Sequence, residues 1–103
     1  MNKKNTDKLF KDFPKLYKGK DLSPRENLMS FGFDCNDGWF DIIYNLSEDI
    51  SAFNLLRKKE EDMIIAVQVK EKFGGLRFYI NHGTPKIFKL ISKGLFFYFC
   101  LLK

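Results

Sequence analysis

The sequence predicts a small α+β fold: an antiparallel sheet built on a β-hairpin at about 63–80, packed against two or three helices. Three observations lead there. The chain has 103 residues, one domain's worth. Between Trp39 and Phe53 apolar residues recur at helical spacing, and beyond Met63 two short β-rich runs flank a glycine pair. With 45% hydrophobic and 30% charged residues, the composition excludes disordered, collagen-like, coiled-coil and disulfide-rich classes.

Leu9, Phe10, Phe13, Leu16 and Tyr17 step by threes and fours, which predicts an amphipathic helix from about Thr6. Pro14 interrupts it, and a turn ends the segment near Gly19. Ser23-Pro24-Arg25-Glu26 carries the signals of a second, short helix: Ser as N-cap, Pro at the first position and Glu at the third. The clearest helix follows Asn36-Asp37-Gly38. Trp39, Ile43, Leu46, Ile50 and Phe53 form its stripe, widened by Phe40, Ile42 and Leu56. Asp37 and Asp41 suit its positive end, and Arg57, Lys58 and Lys59 its negative end.

Met63 to Val69 and Leu76 to Ile80 read as the strands of a hairpin, with Gly74-Gly75 supplying the positive φ of the reversal. Alternation places Val67 and Val69 on one face, Gln68 and Lys70 on the other. It places Leu76, Phe78 and Ile80 opposite Arg77 and Tyr79. Thr84-Pro85 opens a last helix, with Ile87, Phe88, Leu90 and Ile91 apolar against Lys86, Lys89 and Lys93. We expect one domain over 1–103, with a basic helical segment at 1–20 and an atypical apolar tail at 95–103.

The net charge of +5 conceals a pattern. Residues 1–20 balance to +5, residues 21–69 to −6 and residues 70–103 to +6. Basic ends around an acidic middle fit either nucleic-acid contact through the ends or internal neutralisation on packing.

Four constellations could carry chemistry. In Lys70-Glu71-Lys72-Phe73-Gly74-Gly75-Leu76-Arg77-Phe78-Tyr79, three cations, aromatics and a flexible glycine pair on a hairpin suit backbone contact and base stacking. The candidate binding residues are Lys70, Lys72, Phe73, Arg77 and Tyr79; the plainer reading is a hairpin whose aromatics pack while its cations face water. Asp34-Cys35-Asn36-Asp37-Gly38-Trp39 could present a thiol with His82 as its base, the basis of an enzyme alternative. Asp34 and Asp37 disfavour that thiolate, and a capping loop explains the segment as well. His82 alone fixes no partner. Residues 86–103 offer a third alternative, an interfacial membrane segment, being too short and charged to span a bilayer.

Neither a cofactor nor a metal is expected, because Cys35, Cys100 and His82 fall short of four zinc ligands. No export signal is recognisable at the start, where Lys8, Lys11 and Lys15 interrupt any apolar run. We therefore expect a reducing cytoplasm rather than a Cys35–Cys100 disulfide.

Phe31-Gly32-Phe33-Asp34-Cys35-Asn36-Asp37-Gly38-Trp39-Phe40-Asp41-Ile42-Ile43, followed by Val67-Gln68-Val69-Lys70-Glu71-Lys72-Phe73-Gly74-Gly75-Leu76-Arg77-Phe78-Tyr79, resembles a family of small bacteriophage and prophage proteins. Those proteins combine a Cys/Gly-Asp-Gly-Trp helix start with a Lys-Glu-Lys-Phe-Gly-x-Leu-Arg-Phe-Tyr hairpin. The resemblance covers roughly residues 23 to 92. It implies a phage or prophage context in a bacterial cytoplasm and transfers no chemistry onto Lys70, Lys72 or Arg77. Family members often end in a closely spaced cysteine pair resembling a zinc knuckle, whereas Gly94 to Lys103 here is apolar with Cys100 alone. We expect a frameshift to have replaced the ending, which an alternative reading frame past codon 94 encoding a cysteine pair would reveal. The functional expectation is an accessory protein that binds nucleic acid or a host protein through the 70–79 hairpin.

Overall fold

A computed structural model describes residues 1–83 and Lys89. The expected Thr84 helix and the 95–103 tail lie outside the described residues, apart from Lys89.

Helix α1 (Lys3–Asp12) starts ahead of the expected Thr6 because Asn2 caps it, its side chain accepting the Asn5 N–H at 2.8 Å. The end is set by Pro14, which drives the preceding residue out of helical geometry; Phe13 has φ −129° and ψ 60°. Leu9 on α1, with Phe13, Leu16 and Tyr17 just after it, reaches the core. A 3-10 turn at Lys18–Asp21 then redirects the chain.

The helix expected at Ser23-Pro24 does not form. The Ser23 carbonyl closes one turn, accepting the Glu26 and Asn27 N–H groups at 2.9 and 3.0 Å, and there it stops. Asn27 is extended (φ −158°, ψ 137°) and buried, and its side chain caps a separate 3-10 turn, Leu28–Phe31, through the Met29 N–H at 2.7 Å. The demand for Asn27 inside overrides local helix signals.

Helix α2 (Phe40–Asn54) follows a 3-10 turn at Asp37–Trp39, as the periodicity predicted. Ile43, Leu46 and Ile50 are buried, and Trp39, Phe40, Tyr44 and Phe53 pack around them. Leu56 lies past the helix end and is 76% exposed, so it does not widen the stripe.

Among the described residues the sheet has three strands in the order β1-β2-β3: β1 (Phe33–Asp34), β2 (Ala66–Lys72) and β3 (Gly75–Ile80). The expected antiparallel hairpin is β2–β3. Strand β1 adds to it in parallel, so the sheet is mixed, with Phe33 beside Val69 and Asp34 beside Lys70. Gly32 precedes β1 at φ 78° and ψ −151°, a conformation essentially closed to other residues, and aims Phe33 into the core.

Strand β2 begins at Ala66 rather than Met63, because side chains occupy the backbone just before it. Asn54 binds both the Ile64 N–H (2.9 Å) and the Ile64 carbonyl (3.0 Å). Asn81 accepts the Ile65 N–H at 2.8 Å and donates to the Met63 carbonyl at 3.3 Å, while Asn27 donates to the Ala66 carbonyl at 3.2 Å. A register shift between Ala66 and Gln68 leaves Val67 bulged, so Ala66, not Val67, shares the core face with Val69.

The core joins α1, α2 and one face of the sheet, with Leu76, Phe78 and Ile80 supplying the β3 side as alternation predicted. A buried side-chain pair links α1's trailing segment to α2: the Tyr17 hydroxyl lies 2.6 Å from Ser47 Oγ, which itself donates to the Ile43 carbonyl at 2.7 Å. The Ser47 proton being committed, Tyr17 is the donor.

Candidate binding face of the hairpin

In a hairpin, residues directly opposite each other share a face. Val69 pairs with Phe78 and Glu71 with Leu76, so Glu71 lies on the core side. Lys70 pairs with Arg77, Gln68 with Tyr79 and Lys72 with Gly75, so the cations and Tyr79 lie on the other side. Of the five candidates, Lys70, Arg77 and Tyr79 are half-buried, while Lys72 and Phe73 are exposed. Lys70 Nζ lies 5.8 Å from the Tyr79 ring centre, and Lys72 Nζ lies 5.5 Å from that of Phe73. The fold gathers Lys70, Arg77 and Tyr79 on the ribbon and sets Lys72 beside Phe73 at its turn.

The one acid inside the basic motif is withdrawn from this face. Glu71 accepts a hydrogen bond from the Trp39 indole Nε1 at 2.5 Å. The Lys-Glu-Lys alternation thus sends two lysines outward and the glutamate inward, where the Asp-Gly-Trp segment receives it. Asp34 enters the same outer face at its edge, beside Lys70, through the parallel pairing with β1. Sequence reading missed it because a two-residue strand has no periodicity to detect.

The turn differs from expectation. Strand β2 runs to Lys72 and β3 begins at Gly75, so the reversal consists of Phe73 and Gly74 alone. Both have positive φ, 55° and 78°, the pattern of a type I′ turn. Gly75 belongs to the strand. Phe73 therefore takes the left-handed conformation that a bulky side chain disfavours, and its ring is 92% exposed.

The second constellation is structural. Cys35 is a buried free thiol whose pKa is pushed up to about 11, chiefly by burial, with Glu71, Asp34 and Asp37 acting in the same direction. Its carbonyl accepts the Met1 backbone nitrogen. Asp37 Oδ1 accepts the Asn2 N–H at 2.7 Å and the Asn5 side-chain amide at 3.3 Å, which holds the Asp37 carboxyl below the usual range. This loop fastens the start of α1. His82 is half-buried, and no hydrogen bond joins it to Cys35 among the described residues.

Among the described residues no group of three or more His, Cys, Asp or Glu could hold a metal ion, and no helix is long and apolar enough to cross a membrane. The apolar segment at 86–103 lies outside the described residues, apart from Lys89. No family model, curated protein or solved structure matches the chain.

Proposed function

We propose that this chain is a non-enzymatic accessory protein of a phage or prophage, working in the bacterial cytoplasm by binding nucleic acid through the outer face of its hairpin. Phe73 is the observation that carries the reading. A phenylalanine at positive φ costs roughly 1–2 kcal/mol against a residue suited to the turn, and an exposed ring gains nothing from burial. A stacking surface accounts for both, since a base on an aromatic contributes roughly 1–3 kcal/mol. Lys70, Lys72 and Arg77 flank the ring for phosphate contact, and the withdrawal of Glu71 to Trp39 keeps its charge off that face.

The test is affinity for single-stranded DNA and RNA as a function of salt. Changing Lys70, Lys72 and Arg77 together to Ala should weaken binding and flatten the slope of log affinity against log salt by about two. Absence of affinity at low salt would remove nucleic acid as the target. The same face would then read as a protein contact with Phe73 as its aromatic anchor, and capture of a host protein lost on Phe73→Ala would identify it.

A further inference from the structure

The ends of α1 and α2 leave a cleft of about 330 Å³ between them, away from the hairpin. Pro14 stops one helix and Asn54 ends the other, so neither fills the gap. Phe13, Pro14, Leu55 and Met63 make its walls largely apolar, and Leu55 is 81% exposed at the mouth. The volume lies at the small end of ligand sites, which run to roughly 1,000 Å³. It suits a compact molecule and not a dinucleotide.

Two cations line this cleft, Arg57 and Lys15. The Arg57 guanidinium stacks on the Phe53 ring, 4.2 Å from its centre, which fixes its plane. Its Nε is buried and has no hydrogen-bond partner among the described residues. A buried donor without an acceptor is costly, and this one is covered by protein, so Arg57 lines the cleft with the rest of its side chain. The nearby acid does not supply an acceptor: Asp12 takes the Tyr44 hydroxyl at 2.7 Å and Lys8 Nζ at 3.1 Å, both on Oδ2, and makes no ion pair with Arg57 among the described residues. Asn54 is committed, both its amide atoms being spent on Ile64. Lys15 makes no ion pair among the described residues.

We infer that this cleft binds a small apolar monocarboxylate, its hydrocarbon body against Phe13, Pro14 and Met63 and its carboxylate on Arg57, with Lys15 at the rim. A planar fork presented to a planar anion over an apolar floor is the geometry that selects a carboxylate.

The probe pair is hydrocinnamate and its uncharged carboxamide, titrated into the full-length protein and followed by amide-resolved NMR. The acid should saturate with a Kd of about 1 mM or tighter, shifting signals of Phe13, Lys15, Leu55 and Met63, and the carboxamide should bind about tenfold more weakly. Arg57→Gln should weaken the acid about tenfold and leave the carboxamide unchanged. The Lys70, Lys72 and Arg77 triple variant should keep full acid binding, which separates this site from the hairpin reading. Equal binding of acid and carboxamide by the unmodified protein would overturn the inference. So would shifts centred on another surface, or no saturation.

Discussion

Tyr17 and Ser47 form an unequal pair, and the inequality can be measured. Tyr17 donates to Ser47, and Ser47 donates onward to the Ile43 carbonyl, which as part of α2 does not depend on that bond. Tyr17→Phe removes the donor and leaves Ser47 satisfied, so the loss should be about 0.5–1.5 kcal/mol. Ser47→Ala leaves the Tyr17 hydroxyl buried without a partner, and the loss should reach about 1–3 kcal/mol. Urea denaturation of both variants checks the order; a larger loss for Tyr17→Phe would reverse the assignment of the donor. At Phe73 stability and binding should part company. Phe73→Asn places the residue best suited to a type I′ turn before Gly74 and should raise stability by about 1 kcal/mol. The same change should weaken nucleic-acid binding about tenfold. A variant that gained neither stability nor lost affinity would mean the ring is ornamental to both.

At the scale of elements, the contrast between what was legible and what was not is physical. Helix α2 and strand β3 announce themselves because each buries one face over several turns or alternations, and that burial leaves a period in the sequence. The bulge at Val67 leaves none, since one extra residue changes the face of a valine without changing the composition. The failed helix at Ser23 has the same root: its local signals are sound, but Asn27 is needed elsewhere. Asn27, Asn54 and Asn81 look like loop residues and instead replace strand partners for the 63–66 backbone. In the candidate site, the shared face of Lys70, Arg77 and Tyr79 follows from alternation, whereas the turn position of Phe73 and the roles of Asp34, Trp39 and Glu71 depend on register and on contacts between segments distant in sequence. One consequence is sharp. A Cβ on Gly19 would lie 2.0 Å from Asn27 Nδ2, so Gly19→Ala must displace the side chain that holds Met29 and Ala66. The expected loss is about 2–4 kcal/mol in chemical denaturation. In an Asn27→Ala background the same change should cost much less, since the displaced group is gone.

For the molecule as a whole, the buried ionisable groups set an alkaline limit. Burial raises the Cys35 thiol from about 9 to about 11 and pushes the Tyr17 phenol further up still. In the unfolded chain both groups release their protons at lower pH than in the fold, so rising pH favours unfolding. Their contribution is complete below about pH 9, and the Cys35 share is lost progressively as pH rises towards 11. Stability measured across that window should fall, and Cys35→Ala should make the fall shallower because the thiol's share is then gone. Identical slopes would show that the thiol ionises as readily inside as out.

The Trp39–Glu71 bond has a practical corollary. The chain contains a single tryptophan, and that indole is tied to the second strand, two residues from the turn at Phe73. Its emission is therefore an intrinsic optical gauge of whether the hairpin sits against the helix start. Fluorescence can follow the docking of the ribbon, separately from the circular dichroism of the helices, without attaching a dye.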